Sequence, residues 1–163
     1  MKIGITGMIG FVGTHLKDRL SREQDMEVLP FEDEYYEQSQ KFIEFAKNAD
    51  VIVHLAGVNR HEPEVVYQKN IELMEKLLEY VDISGNKPYI IFSSSTQIER
   101  DNPYGKGKKR AMEILEKWSG ENNTPAVSMV VPNVFGDGGK PFYNSVVATF
   151  CHQITHNQQP KID

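Results

Sequence analysis

The segment Thr6-Gly7-Met8-Ile9-Gly10-Phe11-Val12-Gly13 follows a short apolar run and precedes a helical pattern. A strand, a turn with glycine at every third position and a helix form the order found in loops that bind a pyrophosphate. Backbone without Cβ atoms can approach the anion closely, and the helix N-terminus offers free N–H donors. The segment therefore predicts a dinucleotide site; three turn glycines without a ligand are the alternative. The predicted contacts come from Gly7, Gly10, Phe11, Val12 and Gly13.

Apolar, β-branched runs alternate with longer helical stretches over the whole chain. The predicted strands are Lys2–Thr6, Glu27–Phe31, Val51–Leu55, Tyr89–Ser93 and Ala126–Val131. The predicted helices are Gly10–Ser21, Glu37–Lys47, Pro63–Val81, Pro103–Gly120 and Tyr143–Asn157. This alternation predicts an α/β fold with a doubly wound parallel sheet of the Rossmann type, in a single domain over residues 1–163 with no second domain. Ligands of such sheets bind beyond the carboxyl ends of the strands.

The composition is that of a globular domain: the chain has 163 residues, 39% hydrophobic and 25% charged, with a net charge of -5. Its apolar runs are shorter than the roughly 20 residues that a transmembrane helix needs, and the N-terminus lacks the pattern of a secretory signal. Cys151 is the single cysteine, which fits a reducing compartment. The sequence has no block of basic residues of the kind that would suggest a nucleic-acid partner. We therefore expect a cytoplasmic protein that binds a small molecule, with no membrane or nucleic-acid partner.

Two acidic residues, Glu32 and Asp33, follow the second predicted strand. Dinucleotide sites place the acidic residue that binds the adenosine ribose about 20 residues beyond the glycine loop, at this point of the fold. A carboxylate accepts hydrogen bonds from ribose hydroxyls and repels a 2′-phosphate, so the two residues favour NAD over NADP. The alternative is a solvated acidic loop that continues into Glu34.

Three polar residues near the fourth predicted strand form a candidate catalytic set. Ser95 ends a serine run, and Tyr104 and Lys108 stand at i and i+4 on one face of the following helix. A nearby ammonium lowers the pKa of a phenol, which is otherwise about 10. With Ser95 holding a carbonyl oxygen, Tyr104 would exchange a proton during hydride transfer. The alternative is a packed tyrosine, an exposed lysine and a serine-rich strand end.

Taken in order, these residues resemble the extended short-chain dehydrogenase/reductase family, also called the NAD-dependent epimerase/dehydratase family. The resemblance covers nearly the whole chain, and it is closest to the bacterial capsular polysaccharide synthesis reductases that act on UDP-linked 4-keto sugars. The general family motifs are Thr6-Gly7-x-x-Gly10-Phe11-Val12-Gly13, His54-Leu55-Ala56-Gly57, Asn70 within a helix, Ser93 to Ser95, Tyr104-x-x-x-Lys108 and Pro132-Asn133-Val134-Phe135-Gly136. The longer strings typical of the capsular group are residues 54–60, 101–105 and 140–151.

The resemblance implies an NAD(P)H-dependent reductase of the 4-keto group of a UDP-linked 6-deoxy-N-acetylhexosamine, in capsule or O-antigen precursor synthesis. An epimerase or dehydratase on the same scaffold is one alternative, although Glu99 is the only carboxylate just after the serine run. A non-catalytic dinucleotide-binding fragment is the other alternative. The family also implies a homodimer that pairs through the helices predicted at Pro63–Val81 and Pro103–Gly120.

The family pattern also implies a role for each matching residue. Tyr104 is the general acid, Lys108 holds the cofactor ribose and lowers the pKa of Tyr104, and Ser95 orients the keto oxygen. Ser94 takes that place if the register is shifted by one. The other implied cofactor contacts are Leu55, Ala56, Gly57 and Pro132, and the implied substrate contacts are Asn59, Arg60 and Asn133. The Arg60 guanidinium can grip a diphosphate in bidentate fashion; a surface cation is the alternative.

Some residues depart from the family pattern. Gly107 stands where the family commonly has serine, and Gly105 and Gly107 each weaken a helix by roughly 1 kcal/mol relative to alanine. Capsular members are associated with NADPH, whereas Glu32 and Asp33 favour NAD. Family members also continue beyond this length into a substrate-covering region and, in the capsular group, a metal-binding cupin domain. We therefore expect a partial member of the family.

The remaining histidines and the cysteine predict no metal site. His152 and His156 share one face of a helix, but Gln153 stands where a zinc protease motif needs glutamate. His54 ends an apolar strand, and Cys151 lies in an apolar helix, so both are predicted to be core residues.

Overall fold

The computed structural model describes residues 1–160. Five strands within these residues form one sheet, in the order β2-β1-β3-β4-β5. β1 pairs in parallel with β2 and β3, and β3 pairs in parallel with β4. The predicted doubly wound parallel sheet is confirmed. The strands are β1 Lys2–Thr6, β2 Glu27–Leu29, β3 Val51–His54, β4 Tyr89–Ser95 and β5 Ala126–Val131.

The chain changes direction across the sheet between β1 and β3. After β2 at one edge, it returns to the other side of β1, so the loops that follow β1 and β3 lie next to each other. In open α/β sheets, such a switch point forms the crevice in which ligands bind. The strand order therefore places the glycine loop at the binding crevice.

All five predicted helices form, with shifted ends. α3 runs three residues beyond its predicted end, until Gly85 adopts the left-handed conformation with φ 69°. Ser145 Oγ accepts a hydrogen bond from the Ala148 N–H at 3.2 Å and caps α5, which therefore begins at Val146 rather than Tyr143. The helices are α1 Phe11–Leu20, α2 Ser39–Asn48, α3 Pro63–Ser84, α4 Pro103–Asn122 and α5 Val146–Thr155, and the two 3-10 helices are Asp33–Glu37 and Thr96–Glu99.

The segment after β2 is held by aromatic packing instead of strand pairing. β2 ends at Leu29, two residues earlier than predicted, since Pro30 has no N–H for the ladder. The Phe31 ring then packs against Tyr36, Phe42 and Phe45, with ring centroids 4.7 to 5.7 Å apart. All four aromatic residues are buried. This cluster anchors the first 3-10 helix beside the binding crevice.

The chain divides into two compact units, Met1–Val130 and Val131–Asp163. The first contains β1 to β4, nearly all of β5 and helices α1 to α4. The second contains α5, which has no buried residue. Cys151 is exposed, so the prediction that it is a core residue is wrong: the described residues of its unit form no core around α5. The single-domain interpretation stays a prediction.

Helices long and apolar enough to cross a bilayer do not occur within residues 1–160.

Candidate cofactor and active site

The loop after β1 turns at Gly7, whose φ is 69°. A Cβ at Gly7 would lie 2.7 Å from the backbone nitrogen of Ala56, and a Cβ at Gly13 would overlap the Gly7 carbonyl oxygen. Packing therefore requires glycine at both positions. Gly10 precedes α1 with extended backbone and without a side-chain cap. The first-turn N–H groups of α1 are thus left to water or to an anion.

A chain of hydrogen bonds joins three strands to α4. Thr6 Oγ1 and His54 Nδ1 share a hydrogen bond of 2.7 Å, and Ser93 Oγ donates to the His54 carbonyl at 3.1 Å. Lys108 Nζ donates to the Ser93 carbonyl at 3.1 Å. His54 is buried and stacks on Phe92, which confirms it as a core residue. These hydrogen bonds fix the carboxyl ends of β1, β3 and β4 relative to α4, the helix that contains the predicted Tyr104 and Lys108.

Acid is expected to destabilise the fold through His54. Burial and the nearby charge of Lys108 lower the pKa of His54 to about 3, whereas an unfolded histidine titrates near 6.5. Below pH 6.5 the unfolded chain therefore binds a proton that the native chain rejects, and stability falls with pH. Between pH 6.5 and 5 this group should remove about 2 kcal/mol from the free energy of unfolding.

Urea unfolding at pH 6.5 and pH 5 measures this loss. His54→Gln should show a correspondingly smaller decrease than the parent chain, whereas the exposed His61→Gln control should match the parent. An equal decrease in the parent and His54→Gln would show that His54 is not the responsible group.

The Lys108 ammonium lies in a cradle between α3 and the loop after β3. Lys108 is 3% exposed, and a Cβ at Gly57 would lie 3.0 Å from its Nζ and 2.8 Å from Asn70 Oδ1. Asn70 Nδ2 donates to the carbonyls of Val58 and Val66, both at 2.7 Å. Asn70 Oδ1 has no partner within residues 1–160. An unpaired buried oxygen beside a position that admits only glycine fits a bound polar ligand.

Burial shifts the pKa values of both residues of the Tyr-Lys pair. It lowers the pKa of Lys108 to about 8 and raises the pKa of Tyr104. Lys108 Nζ is 5.9 Å from the centroid of the Tyr104 ring and 4.7 Å from that of Phe92. Burial therefore sets the direction of the Tyr104 shift in this structure, and the expectation that Lys108 lowers the pKa of Tyr104 stays a prediction. A neutral phenol is nevertheless the form that can donate a proton at neutral pH.

Two buried serine hydroxyls end β4 on opposite faces of the strand. Ser95 Oγ accepts a hydrogen bond from the Gln97 N–H at 3.2 Å, which leaves its own proton available for a second bond. Ser94 Oγ has no partner in the described part of the chain. Either hydroxyl can donate, and the predicted choice of Ser95, with Ser94 as its replacement, stays open.

Close packing explains the two glycines at the start of α4. A Cβ at Gly105 would overlap the Gln97 carbonyl oxygen, and a Cβ at Gly107 would lie 3.0 Å from the Tyr67 carbonyl oxygen of α3. Asn102 Oδ1 caps the helix by accepting from the Gly105 N–H at 2.8 Å. The glycines lower helix propensity but let the second 3-10 helix and α3 approach α4.

A cavity of about 380 Å³ lies between the glycine loop, the loop after β3, the first 3-10 helix and α3. This volume suits a small ligand or part of a larger one. Glu32 and Asp33 are both exposed, but only Asp33 lines the cavity, so the structure favours Asp33 of the two predicted acidic residues. The wall includes Gly7, Gly10, Leu55, Ala56 and Gly57 of the predicted cofactor contacts.

Other predicted contacts lie outside this cavity wall. Phe11 is half-buried and Val12 is exposed at the start of α1. Asn59 and Arg60 are exposed in the loop before α3. The roles of these residues stay predictions, and so do those of Pro132 and Asn133, which are exposed in the second unit.

The two histidines of α5 stack on each other. The rings of His152 and His156 have centroids 4.0 Å apart. Within residues 1–160, no three potential metal ligands of the His, Cys, Asp and Glu types come together.

The sequence interpretation missed the charged wall that α3 contributes to the cavity. Lys69, Glu72 and Lys76 line it, and their spacing of i, i+3 and i+7 places them on one helix face. The same spacing describes any solvated helix face. Only the packing of the opposite face against the sheet shows that these side chains border the cavity.

The model of the NAD dependent epimerase/dehydratase family matches residues 3–162. The chain belongs to this family. The cradle at Gly57 and the glycine loop lie within the matched region, and the predicted family resemblance is confirmed.

One curated relative is the UDP-2-acetamido-2,6-beta-L-arabino-hexul-4-ose reductase of Pseudomonas aeruginosa. It is 41% identical over 155 residues, which are 94% of this chain and 41% of the relative. A similar solved structure is the capsular polysaccharide assembling protein CapF of Staphylococcus aureus. It is 34% identical with a TM-score of 0.80, and the match covers 100% of this chain and 44% of CapF.

A more distant structure supports the fold alone. RMD of Pseudomonas aeruginosa, solved with NADPH, is 20% identical with a TM-score of 0.83, and the match covers 98% of this chain and 64% of RMD. The chain thus spans less than half the length of the curated reductase and of CapF.

Proposed function

We propose that this chain contains the dinucleotide-binding part of an NAD(P)H-dependent reductase for the 4-keto group of a UDP-linked 6-deoxy-N-acetylhexosamine. The observation that carries the proposal is the buried Lys108 ammonium, which lies beside Tyr104 and near the unpaired Asn70 Oδ1. Burying an ammonium costs free energy, and a site that uses the charge gives a reason for this cost. The names of the Pseudomonas reductase and of CapF support the substrate class and a role in capsule synthesis.

The proposed cofactor site runs from the glycine loop to α4. The first-turn N–H groups of α1 bind the pyrophosphate, and the cavity lined by Leu55 and Ala56 takes the adenosine side. Lys108 binds the nicotinamide ribose from its cradle, where the free Asn70 oxygen offers an acceptor. Asn59, Arg60 and Asn133 are proposed substrate contacts.

The proposed chemistry is a reduction with one proton transfer. When bound, NADH or NADPH supplies the hydride that adds to the carbonyl carbon. Tyr104 donates its phenolic proton to the keto oxygen, so that the carbonyl becomes an alcohol. The Ser95 hydroxyl holds this oxygen, and the Lys108 ammonium stabilises the phenolate that Tyr104 becomes.

Reduction is favoured over epimerisation or dehydration by the segment after β4. A dehydratase usually needs additional carboxylate groups there, and Glu99, the only carboxylate of residues 96–100, is exposed. The retained Tyr104 and Lys108 in turn favour catalysis over binding alone.

Dimer formation through α3 and α4 is proposed from the family. Leu73, Leu77 and Trp118 of these helices are buried within a single chain. A dimer would therefore use the outward faces of α3 and α4, and sedimentation at micromolar concentration distinguishes it from a monomer. The UDP-sugar partner is part of the same proposal, and a cytoplasmic location stays a prediction.

Calorimetric titration of the chain with NADH and NADPH tests the proposed function. We expect at least one of them to bind, and Gly10→Asp to weaken that binding about tenfold or more, because a carboxylate at the α1 N-cap repels the pyrophosphate. Aspartate is a favourable N-cap residue, so the variant should stay folded. Failure of a folded parent chain to bind either dinucleotide would contradict the proposal. Unchanged binding by Gly10→Asp would exclude the glycine loop from the site.

A further inference from the structure

Tyr36 carries a buried hydroxyl that forms no hydrogen bond within residues 1–160. The residue is 5% exposed, and its ring packs edge-on against those of Phe31 and Phe42, with centroids 5.7 and 5.0 Å away. A buried hydroxyl without a partner costs free energy, and phenylalanine would pack in the same place without that cost. Core packing alone therefore does not explain why the residue is a tyrosine.

The surroundings of Tyr36 hold the phenol in place without pairing its hydroxyl. Lys76 Nζ donates to the Tyr36 carbonyl at 3.3 Å, which ties the first 3-10 helix to α3. The nearby Thr6 hydroxyl instead shares a hydrogen bond of 2.7 Å with His54 Nδ1 and accepts one of 3.4 Å from the Ala56 N–H. The Tyr36 hydroxyl is thus held at a fixed position with its hydrogen bonds still to be made.

The phenol of Tyr36 keeps its proton at neutral pH. Burial raises its pKa, and the nearby Thr6 hydroxyl opposes that shift only in part. A neutral phenol can donate one hydrogen bond and can also accept one. Tyr36 therefore offers a fixed, uncharged donor.

The cavity beside Tyr36 suits a flat ring with a polar edge. Besides its charged side chains, the cavity wall contains Tyr36, Leu55, Ala56, Val58 and Leu73. Sites for small molecules combine such apolar walls with a few polar groups that fix the orientation of the ligand. A purine base has two apolar faces, and the ring nitrogens on its edge accept hydrogen bonds.

We propose that the Tyr36 hydroxyl donates a hydrogen bond to a ring nitrogen of the adenine base when the dinucleotide occupies the cavity. The inference rests on the proposed function, which assigns this cavity to the adenosine side of the cofactor. NADH and NADPH both contain this base, so the contact does not depend on which of them the chain prefers. Tyr36 is then a binding residue whose hydroxyl lowers the stability of the free chain.

Tyr36→Phe tests the inference in the free and in the bound chain. Without a ligand, the variant should unfold at a higher urea concentration than the parent, because it lacks the unpaired buried hydroxyl. In calorimetric titrations it should bind about tenfold more weakly to whichever of NADH and NADPH the parent binds more tightly. ADP-ribose, which contains the adenine base but no nicotinamide, should lose affinity by the same factor.

The matched control is Tyr35→Phe, which removes the same hydroxyl from the preceding residue. The Tyr35 ring also packs on Phe31, with centroids 5.3 Å apart, but Tyr35 does not line the cavity. This variant should bind the dinucleotide and ADP-ribose within about twofold of the parent.

The outcomes separate a ligand contact from a structural role. A Tyr36→Phe chain that is less stable than the parent would show that the hydroxyl supports the fold, and would overturn the inference. Unchanged binding of ADP-ribose by Tyr36→Phe would also overturn it and would leave the proposed function standing. Binding of neither NADH nor NADPH by the folded parent would contradict the proposed function itself.

Discussion

Replacement of Tyr104 by phenylalanine is expected to lower the rate of keto-sugar reduction about 10²- to 10⁴-fold, the usual contribution of a positioned proton donor. The phenol is half-buried, and burial raises its pKa, so that it is protonated at neutral pH. Phenylalanine keeps the ring and its packing but has no proton to give. Cofactor affinity should stay within about twofold, since the backbone loop and Lys108 carry the proposed binding.

The measurement follows the absorbance of the reduced nicotinamide with a UDP-linked 4-keto-6-deoxy-N-acetylhexosamine, beside a calorimetric titration of each chain. Tyr80→Phe is the matched control, because Tyr80 of α3 packs on Phe42 of α2, away from the cradle. It should keep the parent rate. A Tyr104→Phe chain that retains more than about a tenth of the parent rate would exclude Tyr104 as the proton donor.

Lys108→Met is expected to stabilise the fold and to weaken the binding of the reduced cofactor. Burial lowers the pKa of Lys108 from 10.5 to about 8, and each pKa unit corresponds to about 1.4 kcal/mol between the charged and neutral forms. At pH 7 the parent therefore bears a cost of about 3 kcal/mol that an uncharged side chain of similar length avoids. Loss of the proposed contact with the ribose should weaken cofactor binding about tenfold or more.

The pH dependence of this effect has a definite sign. Above pH 8 the native chain releases the Lys108 proton while the unfolded chain keeps it, so the parent gains stability relative to Lys108→Met. The difference between the two chains should thus be largest below pH 8 and shrink towards pH 10. Lys109→Met, at an exposed neighbouring position, should change the free energy of unfolding by less than about 0.5 kcal/mol. A destabilised Lys108→Met chain at pH 7 would show that the ammonium supports the fold and is not held at a cost to it.

These two variants separate chemistry from binding. Tyr104→Phe alters the proton at the reacting oxygen, whereas Lys108→Met alters the charge that the cradle of Gly57 and Asn70 surrounds. If both variants lost only turnover, the ribose contact proposed for Lys108 would be wrong and the role of Tyr104 would stand.

Local signals in the chain were enough to predict the strands, the helices and the glycine loop. Three such signals are the Gly7 turn, the Asn102 cap and the β-branched residues of β3. Each affects only the few residues around it, so its effect can be predicted without knowledge of the rest of the fold. The positions of Tyr104 and Lys108 on one helix face follow from the period of the helix in the same way. The ends of the elements were less predictable. Pro30 ends β2 and Ser145 caps α5, but the apolar patterns around these residues extend beyond the true ends.

Contacts between residues that are distant in the sequence were visible only in the tertiary structure. Nothing near Lys108 in the sequence indicates that Gly57 and Asn70 surround its ammonium, or that burial lowers its pKa to about 8. Glu37 and Lys76 are separated by 39 residues, yet they meet at 2.9 Å across the cavity wall. Such pairs depend on how the helices pack on the completed sheet. Burial shifts a pKa only after that packing has excluded water from the charged group.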